Sequence, residues 1–199
     1  MMTNWLIASN NLYKTADLQL ALAYYGLSAA SYQTLMAPVA FPEEGVTSYQ
    51  DNATAKVKYL AALVPDTGVI ADDSGLTLAA LGQSALGVTT KRTLHAQSNL
   101  SDNQAVLAAL AGQSDRRATM WCTLVAVTPH GRLTTATGTV SGYIAPAPVG
   151  DQSTGFDRIF TLALGGPTLA ELSDKTRIPL THRGRAAKQL VASLTQEGD

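Results

Sequence analysis

The chain has a single cysteine, Cys122, in 199 residues. That scarcity excludes an internal disulfide and fits a reducing compartment. Three scattered histidines add too little to build a zinc site around it. Charge is sparse too: Asp, Glu, Lys and Arg make up 15% of the residues, and the formal net charge is -1. So balanced a composition argues against general nucleic-acid binding, and any anion site must be local. No apolar run reaches membrane-spanning length, and no basic-then-apolar leader precedes Asn4, which points away from a membrane and to the cytoplasm. Repeats and low-complexity tracts are missing. What the chain does have is 46% hydrophobic residues, enough to bury a core in one domain spanning residues 1–199.

Periodicity divides the chain into alternating elements. Trp5–Ala8 reads as a short buried strand that passes through Ser9, Asn10 and Asn11 into a helix over 14–25, stopped by Gly26. Ser48 and Asp51 match a capping box that opens a helix to about residue 64. The next strand, over 69–72, should deliver Asp72 and Asp73 to its exposed end, where Ser74 and Gly75 turn the chain away. Residues 76–81 fit a strand or a short helix. Ser101 and Gln104 form a second capping box, for a helix ending near Ala111. Residues 118–128 and 132–144 read as a hairpin, followed by a Gly- and Pro-rich loop over 145–155. A short helix over 168–172 precedes an amphipathic one over 182–195, with Ala186, Leu190 and Leu194 on one stripe. This order gives an α/β class with a mixed sheet.

Several residues carry chemistry in this frame. Adjacent acids on an extended segment leave it on opposite sides, so Asp72 and Asp73 should do different jobs, one beside a hard cation and one handling a proton or water. A polar turn between strands is the plain alternative. The strand-to-helix turn from Ser9 to Lys14 offers free amides and an ammonium to an anion, though it lacks the glycines and the Lys-Ser/Thr pair of a Walker loop. Asn52 and Lys56 sit four apart and share a helix face, either at a site or as a solvated pair. Glu43 and Glu44 lie just before that helix, as metal carboxylates or as surface acids. Lys175, Arg177, His182, Arg183 and Arg185 crowd the start of the last helix, where cations oppose the helix dipole. That placement suggests an anion partner. Together these pieces suit a polyphosphate held by basic groups with Mg²⁺ held by carboxylates.

In order, the segments resemble the inosine-triphosphate pyrophosphatase family. Ala8–Lys14 is similar to its opening Ala-Thr/Ser-Gly-Asn-x-x-Lys, and Ser48–Ala53 with Lys56 to its Thr-Phe-x-Glu-Asn-Ala-x-x-Lys. Ala71–Leu76 is identical to its Ala-Asp-Asp-Ser-Gly-Leu. Gly87–Arg92, Gly155–Phe160, Thr168–Leu172 and Thr181–Ala186 are similar to four further motifs, so the resemblance runs from about residue 5 to residue 190.

The resemblance implies an elongated, twisted mixed sheet with flanking helices and two lobes around a central cleft. It also implies a homodimer. The implied reaction is Mg²⁺-dependent cleavage of a nucleoside triphosphate between its α and β phosphates, removing ITP, dITP and XTP from the nucleotide pool. By position, Asp73 matches the general base, and Glu44, Asp72 and Asp73 the Mg²⁺ site. Ser9, Asn10, Asn11, Lys14, Lys56 and Ser74 match phosphate or substrate contacts. Thr154, Gly155, Phe156 and Asp157 match the base-binding segment, and Lys175, His182 and Arg183 the residues that recognise the base and close over it. Three departures stand out. Thr154 replaces a stacking aromatic, Asn10 replaces a glycine, and Pro179-Leu180 reads as an insertion. A pyrophosphatase with shifted base specificity and a nucleotide-binding protein that does not hydrolyse are the competing readings; retention of Asp72, Asp73, Glu44 and Lys56 speaks against the second.

Overall fold

The computed structural model describes residues 5–82 and 100–196; the motif at 87–92 lies outside the described residues. Among these, six strands form one sheet in the order β2-β1-β3-β4-β5-β6. They are β1 (Trp5–Ile7), β2 (Ala29–Ser31), β3 (Gly68–Leu78), β4 (Arg117–Val127), β5 (Leu133–Ile144) and β6 (Phe160–Thr161). β1 pairs parallel with β2 and with β3, Leu6 lying opposite Ala30 and Val69. β6 pairs antiparallel with β5, Thr161 opposite Tyr143. The helices are α1 (Leu12–Tyr24), α2 (Tyr49–Leu63), α3 (Asp102–Ala109), α4 (Asp174–Arg177) and α5 (His182–Gln196). The α/β class and the mixed sheet are as the sequence indicates. None of the described helices is long and apolar enough to cross a membrane.

The described residues fall into two compact units. One holds the chain up to Ser74, Cys122–Gly138 and the chain from His182 on; the other holds Gly75–Trp121 and Thr139–Thr181. Each has its own core. In the first, Leu6, Val69 and Ala71 from the sheet pack with Ala53, Val57 and Leu60 of α2, and α1 packs on α5. In the second, Leu76, Leu78, Met120 and Val140 pack with Val106 and Leu110 around Phe160.

Local chemistry explains the helix starts. The Asn11 side chain accepts from the Lys14 amide, and Ser48 from the Asp51 amide. Ser101 and Gln104 cap reciprocally. Because Asn11 is the cap, α1 begins at Leu12, two residues earlier than the apolar spacing indicates.

The larger correction is in β3. It does not end at Asp72 but runs on through Asp73, Ser74 and Gly75 to Leu78. The acids therefore sit inside a long strand, 2% and 5% exposed, and not at its solvent end. Ser74 and Gly75 carry no turn because Leu76 and Leu78 continue the period-2 pattern into the second core. The hairpin does form, closed by Thr128 and Arg132 with Gly131 at φ +81°. The short helix expected at 168–172 is a single 3-10 turn, Leu169–Glu171.

Candidate active site

Within the first unit, β3 and α2 build the acidic part of the site. Asp72 and Asp73 leave opposite faces of the strand, as alternation requires. Asn52 Nδ2 donates to Asp73 Oδ2 at 2.8 Å, and the Ser74 amide donates to Asp73 Oδ1 at 3.0 Å. The Asn52 amide cannot flip without loss, since its Oδ1 accepts from the Gly45 amide at 2.7 Å. One turn on, Lys56 Nζ donates to the Asp72 carbonyl oxygen at 2.5 Å and to Glu44 Oε1 at 3.0 Å. Lys56 thus ties the loop bearing Glu44 to the strand bearing both aspartates.

The Asp72 carboxylate belongs to a different set. Its Oδ2 lies 3.4 Å from Arg183 Nη2 and from the Ser74 hydroxyl, and Arg183 Nη1 meets Asp17 Oδ2 at 2.5 Å. Asp17, on α1, is a partner that motif reading passes over. Its signal is position: one turn beyond Lys14, it brings a carboxylate to the first turn of α5.

Electrostatics separates the two aspartates. Burial works against ionising Asp72, but Lys14, Arg183 and Lys56 outweigh it and hold the carboxyl well below its usual range. For Asp73 burial wins over Lys56 and Asn52, with Glu44 adding to it, so its carboxyl stands above the usual range. Glu44 is pulled down by Lys56 and Lys14 against a partial burial. Burial opposes the charge on Lys56, yet Asp72, Asp73 and Glu44 together keep its ammonium above the usual range. His182, 8% exposed at the start of α5, is held neutral by burial and by Arg183, its pKa down to about 3.

The Ser9–Lys14 turn lies in the same unit. The Ser9 hydroxyl accepts from the Asn11 amide at 3.2 Å. Asn10 does not use the left-handed conformation that would justify an Asn for a Gly; among the described non-glycine residues only Asp66 has positive φ. Its side chain instead donates to the Val39 carbonyl at 2.8 Å and accepts from the Tyr32 hydroxyl, tying the turn to the loop after β2.

The second unit holds the other expected residues. Thr154 and Gly155 are exposed, Phe156 packs on the core and Asp157 is buried. Asp157 Oδ2 accepts from the Ser153 hydroxyl at 2.7 Å and from Arg177 Nη1 at 2.8 Å. Arg177 Nη2 also meets Asp174 at 2.9 Å. Lys175 lies exposed on α4, whereas Arg177 is buried and reaches Asp157. Arg177 and Arg183 are each buried against carboxylates of this chain.

A mixed-sheet α/β protein that sets paired strand acids among lysines and a capped strand-to-helix turn has the build of a phosphate-ester or anhydride hydrolase. The chain belongs to the Ham1 family, whose model matches residues 5–193. It is 34% identical over 194 residues to a dihydroneopterin triphosphate diphosphatase from Limosilactobacillus reuteri, covering 98% of this chain and 99% of that protein. It is 35% identical to a dITP/XTP pyrophosphatase from Aromatoleum aromaticum, covering 98% of each. Its fold is similar to that of the Ham1 protein of Staphylococcus aureus, with a TM-score of 0.75, 30% identity and coverage of 98% and 99%.

Proposed function

We propose that this chain is a nucleoside-triphosphate pyrophosphohydrolase of nucleotide-pool sanitation, cleaving ITP, dITP and XTP to the monophosphate and pyrophosphate. We read it as one cytoplasmic domain acting as a homodimer. The observation that carries the reading is the contrast between the adjacent aspartates. Asp72 is locked ionised by three cations, whereas Asp73 is held above the usual carboxylate range and oriented by Asn52. A raised, oriented carboxylate is suited to take a proton from an attacking water, and Lys14 and Lys56 bring positive charge to the phosphates. Ser9, Asn11 and Ser74 add donors around them, with His182 and Arg183 in the same unit. Phosphoryl transfer asks for this kind of positioning and charge balance more than for covalent chemistry.

The donors present fit Mg²⁺. Glu44 and Asp73 offer hard carboxylate oxygens beside the same lysine, and burial outweighs the groups that favour the Asp73 charge, so a cation there would stabilise it. Among the described residues no three acids or imidazoles converge as a ready-made cage. Asp72 contributes charge from its place on Arg183. When bound, the ion would neutralise the polyphosphate and polarise its phosphorus.

Thr154, exposed where the resemblance has a stacking ring, favours a second reading in which the reaction stands and the heterocycle differs, as in the L. reuteri relative. Pyrophosphate release with Mg²⁺ from ITP, dITP, XTP, dihydroneopterin triphosphate and the common triphosphates separates the two. Preference for ITP and XTP supports the first, turnover of the pterin the second, and release from none of them contradicts both.

A further inference from the structure

The motif that residues 48–56 resemble has phenylalanine where this chain has Tyr49. Tyr49 opens α2, and Asn52 and Lys56 follow it at three and seven residues, the spacing of one helix stripe. Asn52 holds Asp73 and Lys56 reaches the Asp72 carbonyl, so that stripe faces the acids of β3. The Tyr49 hydroxyl oxygen is buried and has no hydrogen-bond partner among the described residues. A buried hydroxyl left in this state is costly and rare. Burial and the nearby charge of Asp73 push the phenol above its usual range, so the group remains a proton donor wherever Asp73 is ionised. What it lacks is an acceptor. The cations that bring one in are at hand, since Lys14 and Lys56 both act on Asp73.

We propose that the Tyr49 hydroxyl is a further substrate-binding group, donating a hydrogen bond to a phosphate oxygen of the triphosphate. This rests on the reading of the site above and adds a contact that the phenylalanine of the resemblance cannot make.

Tyr49→Phe removes one oxygen that no described residue engages, so the variant is expected to fold with an unchanged or higher Tm. Wild type and variant are titrated calorimetrically with inorganic triphosphate in Mg²⁺, and their kcat and KM are measured on the best substrate. The expected result is Kd and KM raised about tenfold, the loss of one hydrogen bond to a charged acceptor, with kcat within about threefold. Equal Kd in the two proteins overturns the proposal. So does a lower Tm with equal Kd, which would assign the hydroxyl to an ordered water in the fold. A wild type that binds triphosphate but releases no pyrophosphate refutes the hydrolase reading, and the Kd comparison still judges Tyr49 by itself.

Discussion

Gly138 fixes where the first turn of α5 can sit, and Gly138→Ala measures how firmly. A Cβ at this position on β5 would lie 2.0 Å from the His182 carbonyl oxygen, 2.5 Å from the Ala186 amide nitrogen and 3.0 Å from Arg185 Cβ. Ordinary carbon contacts need about 3.5 Å, so strand and helix must part by more than an ångström. Both nearest atoms are helix backbone and have no rotamer to change. Overpacking costs about 1–3 kcal/mol where side chains can adjust, and alanine recovers about 0.5–1 kcal/mol through lower chain entropy. The net expectation is a loss of at least about 2 kcal/mol. The same shift would pull Arg183 from Asp72, already at 3.4 Å, so turnover should fall along with stability. Urea denaturation with a pyrophosphate-release assay reads both. Gly26→Ala is the control: no atom lies within 4 Å of its Cβ, but φ is +92°, so it should lose about 1–2 kcal/mol from backbone strain alone and keep full activity. A Gly138→Ala protein within about 0.5 kcal/mol of wild type would refute the close approach of strand and helix.

Two further outcomes follow from buried charge. Arg177→Met takes the guanidinium from Asp157, with the two side chains 2% and 7% exposed, and should lose about 3–5 kcal/mol; adding Asp157→Asn should restore part of it, and strict additivity of the two in denaturation would count against the pair. His182 titrates near 3 in the fold against 6.5 free, so between those values the unfolded chain binds more protons and stability falls as pH drops from about 6.5 toward 3. By pH 4.5 this amounts to on the order of 2–3 kcal/mol, and His182→Asn should flatten that limb. Equal pH dependence in the two proteins would place the acid sensitivity elsewhere.

Much of the site was legible because it is local. The strand-to-helix turn at Ser9–Lys14, the cap at Ser48 and the opposed side chains of Asp72 and Asp73 follow from cap chemistry and period-2 alternation, and the structure has all three. Local pattern ends β3 too early because Ser-Gly usually turns a chain, whereas here the apolar residues at 76 and 78 continue the strand into a second core. Long-range pairing was hidden for the same reason. Nothing near Arg183 in sequence announces Asp17, 166 residues away. In sequence Arg177 is one cation of a basic run, and only its burial in the fold pairs it with Asp157. Asn52 was visible only as a neighbour of Lys56 on a helix face; its hold on Asp73 comes from the fold of α2 against β3.

The central claim is that Asp73 handles the proton while the remaining groups hold the triphosphate. The most direct measurement is pyrophosphate release by Asp73→Asn beside its binding of the same nucleotide. Asparagine keeps the size of the side chain and removes the charge. Turnover should fall by about 100-fold or more, the contribution of a positioned general base, with nucleotide affinity changed only a few-fold. Turnover within about threefold of wild type would contradict the assignment of Asp73.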